Sequence, residues 1–274
     1  MRRRQFLLSA AGATLAGCAA SPGRMPAAVH AAQAGAPALP AAPSSAEPYA
    51  RLQGGVPHHL TPDQESQRKT DSPAPAGPAG QWAARAALPL PRSEMAWATA
   101  TAGRMHVVGG YGEGAVNRAY HHIYDPAVDR WLQGAPLPRG ANHVAVASDE
   151  RFVYALGGFV EQNRLSDTHA YAYELATDRW REIAPLRRPR GAAAAVMLDS
   201  KLHLVGGASE PASERASVGW HEVYDPQADA WSQRKPLPGA RDHVGCVAHA
   251  GLIHVVGGRF NTFEYNTDLH HVYL

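Results

Sequence analysis

A spacing of about fifty residues governs this chain from Gln81 onward. Gly-Gly pairs stand at 109–110, 157–158, 206–207 and 257–258, separated by 48, 49 and 51 residues. Tryptophans at 82, 131, 180 and 231 keep nearly the same step, 49, 49 and 51. A third marker shares the register: Tyr124-Asp125-Pro126, Tyr173-Glu174-Leu175, Tyr224-Asp225-Pro226 and Tyr273-Leu274. Before each Gly pair lies a short β-type run, such as Met105-His106-Val107-Val108 and Leu202-His203-Leu204-Val205. Gly, Pro and β-branched residues interrupt every stretch long enough for a helix, which excludes helical solenoids. Each unit therefore predicts four short antiparallel strands, a to d. Their repetition predicts an all-β propeller with four recognisable blades.

The chemistry of each marker suits a blade. A Gly pair lets strand b end where backbones crowd and φ is positive. Asp-Pro starts the c–d turn with φ preset by proline. The Tyr of strand c and the Trp of strand d supply large apolar area between blades. Small residues at Ala192–Val196 and Val244–Ala248 suit innermost strands crowded round an axis, so Cys246 is expected to be a packing residue. Gln81-Trp82-Ala83 has a d-strand Trp with no strands a to c before it, and the last unit stops at Tyr273-Leu274. Residues 81–88 are thus expected to add strand d to the last blade and close the ring.

These markers resemble those of bacterial exported kelch-repeat proteins, the galactose oxidase-like propellers, across residues 81–274. The resemblance implies a kelch-type β-propeller. Such proteins usually carry six repeats or more, which implies a copy cut short after its fourth. The oxidase's copper site needs a Tyr cross-linked to Cys with further Tyr and His ligands, and no matching motif is present. Neither copper radical chemistry nor any other cofactor is expected.

The N-terminal part has a different character. Met1-Arg2-Arg3-Arg4-Gln5-Phe6-Leu7-Leu8 is a basic start running into an apolar segment that ends at Leu15-Ala16-Gly17-Cys18. Residues 1–18 read as an export signal. Arg3-Arg4-Gln5-Phe6-Leu7 resembles the twin-arginine motif, although general secretion stays open. Leu15–Cys18 resembles a bacterial lipobox, which implies acylation of Cys18 and an envelope protein on the periplasmic side, held to the membrane by its lipid anchor alone. Residues 19–80 hold 11 of the 22 prolines and show no hydrophobic period, so they read as an Ala/Pro-rich disordered tether. A net charge of +2, with no basic run after the extreme N-terminus, argues against nucleic acid as a partner.

Antiparallel strands place the d–a and b–c loops on one face. Arg92, Arg139, Arg190 and Arg241 approach that rim just before each strand a. Glu94, Asn142, Gly191 and Asp242 lie fifteen residues before the Gly pairs, followed by Met95, His143, Ala192 and His243. Alternation across a strand lets only one of these sets face the channel. Two uses fit. The rim is a polar cup for an anionic or polyhydroxylated ligand, formed by Arg92, Glu94, Arg139, Asn142, His143, Arg190, Arg241, Asp242 and His243. Otherwise Asn142 and Asp242 hydrogen-bond loops while the arginines tie the blades together.

No metal is expected. His121-His122 and His270-His271 are adjacent strand residues that face opposite ways, and no Cys/His spacing matches a zinc site. His106, His203 and His254 share the register of Tyr154, a packing position. The leading expectation is a non-catalytic binding module for a protein or carbohydrate. The rival is a sugar-acting isomerase resembling the kelch-fold sialic acid mutarotases. It would use Glu94, Glu161, Asp242 or His243 as acid/base, with Arg139 or Arg241 on a carboxylate.

Overall fold

The computed structural model describes residues 80–99, 103–260 and 266–274. The export signal, Cys18 and the tether up to residue 79 lie outside them. The described residues are built of β-strands, with a single short 3-10 turn at Glu113–Ala115.

The first blade runs Ala96–Thr99, Met105–Val108, His121–Asp125 and Arg130–Gln133, each strand antiparallel to its neighbour. The second is Ala145–Ser148, Phe152–Leu156, Ala170–Glu174 and Arg179–Glu182. The third is Ala194–Leu198, Lys201–Val205, His221–Asp225 and Ala230–Gln233. A last sheet holds three strands, Gly245–His249, Leu252–Val256 and His270–Tyr273. The first strands of successive blades lie side by side, so strand a is innermost, as its small residues require. Tyr154, Leu156, Leu202, Leu204 and Tyr224 form a core between the second and third blades.

A three-residue clasp joins consecutive blades. The Trp131, Trp180 and Trp231 indole N–H groups donate to the carbonyls of Ala86, Ala135 and Ala184 at 2.8, 2.8 and 2.7 Å. Two residues before each Trp, Asp129, Asp178 and Asp229 accept from the N–H of those same alanines. Each carboxylate also accepts from the Tyr five residues earlier at 2.7 Å. The backbone N–H of Ala135 and the Tyr173 hydroxyl hold Asp178 below the usual carboxylate range. One anion thus fixes a strand c, a strand d and the preceding linker. The Gly pairs meet an equally local demand. Gly157 has φ +57°, and a Cβ there would lie 2.3 Å from the Arg190 carbonyl on the next blade. The Gly158 N–H donates to that carbonyl at 2.9 Å.

The expected closure by residues 81–88 is corrected by the structure. They form no strand, and Trp82 is 104% exposed. Ala86 instead fills the first blade's clasp as Ala135 and Ala184 fill the next two. The clasp also explains why this segment is a poor strand d for the last sheet. Gly80 stands where Asp129, Asp178 and Asp229 stand, so it brings no carboxylate to the Tyr273 hydroxyl. An apolar groove of about 340 Å³ lies along that last strand, between Lys235–Pro238 and Val272–Leu274. Cys246 packs among Val196, Val244 and Val255 as expected, and burial pushes its thiol up to about 12.

Candidate functional site

Four equivalent residues mark the end of the axis, and all take left-handed backbone: Glu94 (φ 50°), His143 (51°), Ala192 (53°) and His243 (53°). The His143 N–H donates to the Glu94 carbonyl at 3.0 Å. Ala192 donates to His143, and His243 to Ala192, both at 2.9 Å. This backbone chain steps from blade to blade and fixes which side chains meet. It also corrects the sequence register: Glu94 belongs with His143 and His243, because the first repeat carries one extra residue between Glu94 and its Gly pair. Ser93, Asn142, Gly191 and Asp242 form the neighbouring set, each bridged to the residue just after a Gly pair or its equivalent: Tyr111, Phe159, Ala208 and Arg259.

Above this set, the loops after the Gly pairs fold into small hairpins, Phe159–Val160 with Leu165–Ser166 and Ala208–Ser209 with Ala216–Ser217. Arg215 from the second hairpin lies 3.7 Å over the Phe159 ring and donates to the Asn163 side chain at 3.0 Å and carbonyl at 2.7 Å. The result is a cup of about 350 Å³ whose walls include Glu94, Tyr111, His143, Arg215, Asp242, His243 and Arg259.

Its polar groups form one connected network. The His143 Nε2 lies 3.0 Å from the Glu94 carboxylate, and its Nδ1 is held against the Asn142 side-chain oxygen. His243 sets Nδ1 against Asp242, and its Nε2 lies 2.6 Å from the Arg259 guanidinium. Arg259 also donates to Asp242 at 3.1 Å, and Ser217 contacts the same carboxylate. The two imidazoles meet edge to face with centroids 4.9 Å apart. Burial, with His243, Arg259 and Arg215 close by, drives His143 down to about 3, so it is neutral at physiological pH. Burial opposes ionisation of Asp242, but the hydrogen bonds from His243, Ser217 and Arg259 outweigh it and hold its carboxyl low.

The residues expected at this rim fall into two groups. Glu94, Asn142, His143, Asp242 and His243 come together at the cup. Arg92, Arg190 and Arg241 turn away from it, each toward strand c of its own blade. Arg190 meets Glu222 at 2.7 Å with both side chains fully buried. Arg92 and Arg241 meet the register-equivalent His122 and His271 at 2.8 and 3.0 Å. Burial lowers Arg190 to about 10, still well above physiological pH, so its guanidinium stays charged. Arg139 is out of register with these three and lies 3.7 Å from Asp167. Sequence reasoning singled out neither Arg215 nor Arg259. The signal for Arg259 is its place directly after a Gly pair, the position that faces the axial residue through a two-residue bridge. Arg215 has no such register mark.

Comparison with known proteins agrees with the architecture. No family model matches the chain. Kelch-like protein terF of Aspergillus terreus is 28% identical over 144 residues, 50% of this chain and 31% of its own. Kelch-like protein 35 of Mus musculus is 30% identical over 157 residues, 57% of this chain and 25% of its own. Beta-scruin of Limulus polyphemus is 30% identical over 164 residues, 56% and 18% respectively. The chain therefore spans a third or less of the length of these curated relatives. Among solved structures, YjhT superposes with a TM-score of 0.60 at 12% identity, covering 68% of this chain and 70% of its own. With its blade-forming repeat and these relatives, the chain is a kelch-type protein with a kelch β-propeller fold.

Proposed function

We propose that this chain is a kelch binding module that holds an anionic, hydroxylated group in the axial cup, presented by a carbohydrate or by an acidic side chain of a protein partner. The carrying observation is the convergence of Arg215 and Arg259 with Glu94, His143 and His243 around one concavity of about 350 Å³. That volume is at the lower end of small-ligand sites, about the size of one sugar ring. Two guanidiniums suit a carboxylate, and the imidazoles and Glu94 suit hydroxyls. Kelch-repeat relatives support a protein-binding role at the level of the family.

A sugar-acting enzyme is the second reading, favoured by a carboxylate and an imidazole 3.0 Å apart at the cup. Binding is the better supported of the two. A general acid or base works best with a pKa near the operating pH, and His143 lies far below it. The test is an array of acidic and neutral glycans and acidic peptides probed with the full chain. Arg215→Ala with Arg259→Ala should weaken retention of carboxylated ligands by about tenfold or more. Equal retention by this variant would reject the cup.

The N-terminal sequence supports a further part of the proposal, that the propeller is exported to the bacterial envelope and anchored through acylated Cys18. Cys18→Ser should release it from the membrane fraction, and unchanged retention would reject the anchor.

A further inference from the structure

The two histidines at the end of the axis are each fixed through one ring nitrogen, which leaves the other for the cup. Asn142 Nδ2 donates to the Phe159 carbonyl at 3.1 Å, so the Asn142 atom set against His143 Nδ1 is its oxygen. An oxygen of this kind only accepts, so Nδ1 carries a hydrogen and Nε2 is the nitrogen left to face the cup. Nε2 lies 3.0 Å from Glu94 Oε2. His243 is held through Nδ1 in the same way. Its Nδ1 faces the Asp242 carboxylate, and its Nε2 points into the same cup.

We propose that Glu94, His143 and His243 form a site for a divalent transition-metal cation, zinc being the type case for two imidazoles and one carboxylate. Their ligand atoms lie within 4.8 Å of one another, the one such convergence of three His, Cys, Asp or Glu side chains among the described residues. Zinc at ~2.0–2.2 Å from each ligand needs donors no more than about 4.4 Å apart, so a small closing movement of the side chains would complete the site. Metal-binding histidines usually have their other nitrogen fixed by a carboxylate or carbonyl oxygen, and Asn142 and Asp242 do this here. The three Cα positions are set by the blade-to-blade backbone chain, so the ligands are presented by rigid scaffold.

Arg259 is the group that must yield. Its Nη2 donates to His243 Nε2 at 2.6 Å, and a cation would displace it while its Nε kept Asp242. The formal charges of Glu94, Asp242, Arg215 and Arg259 sum to zero, so a bound divalent cation leaves the cup positive. A site with three protein ligands keeps a coordination position open. The ligand class that completes it is an oxyanion such as a carboxylate, with the freed Arg259 and Arg215 beside it.

The site goes beyond the binding reading and is tested apart from it. The full chain is stripped with a chelator and titrated with cobalt(II), read by its visible absorption, and with zinc, read by calorimetry. One equivalent should bind, and zinc should raise the melting temperature. Glu94→Gln, which alters a half-exposed side chain and leaves the fold intact, should weaken binding about tenfold or more. His143→Ala and His243→Ala should each abolish the cobalt spectrum. Acetate should tighten zinc binding. The pair His254 and His270, 3.0 Å apart at the surface, is the internal control, and His254→Ala should change nothing. Absence of one-equivalent binding, binding indifferent to Glu94→Gln, or binding lost in His254→Ala would each overturn the site. Failure here leaves the anionic cup standing. Failure of acidic ligands on the array leaves the cobalt titration readable.

Discussion

Asp178 shows how much of this fold rests on single side chains. Its carboxylate takes a hydrogen bond from the Tyr173 hydroxyl and one from the Ala135 N–H, both at 2.7 Å, and so ties strand c of one blade to the linker from the previous one. Hydrogen bonds to a charged group are worth ~1.5–3 kcal/mol each, reduced here because the carboxylate is exposed. Asp178→Ala should therefore destabilise the domain by about 1–3 kcal/mol and lower its melting temperature by several degrees. A melting temperature unchanged by that substitution would show the clasp to be ornamental. The Gly, Tyr and Trp markers were legible in the sequence because each recurs in every repeat. The aspartates recur just as regularly, two residues before Trp131, Trp180 and Trp231, and could have been found by the same count. The arginines were legible only as recurring residues. Recurrence cannot tell a staple from a ligand contact: Arg190 proves to be a staple on the buried Glu222, whereas Arg259 stands where the other repeats carry Tyr111, Phe159 and Ala208 and so does not recur.

At the scale of elements, the strands could be placed from pattern and their partners in large part could not. The four strands per blade follow from the alternation, the Gly pairs and the turns. Where the N-terminal segment docks does not follow, because Trp82 keeps the register whichever blade receives it. The structure places Ala86 on the first blade and leaves Trp82 in solvent. Trp82→Ala should accordingly leave the melting temperature unchanged within about 1 °C, as exposed substitutions usually do. Trp180→Ala, which empties an inter-blade contact and leaves the Ala135 carbonyl only its partner His121 Nδ1, should cost about 3 kcal/mol or more. Equal losses from both would mean that residues 81–84 pair with a sheet in solution. The loop hairpins that carry Arg215 were also hidden, since two-residue strands leave no periodicity to read. The extra residue in the first repeat shifted Glu94 out of its set for the same reason: register counted from a Gly pair cannot locate an insertion.

Across the whole molecule, histidines are arranged as inter-strand pairs under the aromatic ring of the next blade. His106 and His121 lie 2.8 Å apart with Tyr173 edge-on to His121, and His203 and His221 repeat this at 2.9 Å with Tyr273. Burial drives His106 to about 4, His121 to about 3 and His221 to about 4. These folded values lie below the ordinary 6.5, so the folded state binds fewer protons than the unfolded one. Their contribution is fully present above pH ~6.5 and is lost as pH falls toward ~4. The melting temperature should fall by on the order of 10 °C across that window, and His106→Leu with His121→Leu should flatten the slope. A profile level from pH 7 to 4 would contradict the pairing.

The cup at the end of the axis, and not another surface of the propeller, is proposed to receive the ligand. Hydrogen exchange of the full chain with and without an oligogalacturonate, or the acidic ligand best retained on the array, tests it most directly. Binding in the cup should protect 93–95, 142–143, 159–163, 208–217 and 242–243, segments that build it. Protection confined to the opposite a–b turns at 149–151, 199–201 and 249–251, with these segments unchanged, would contradict it.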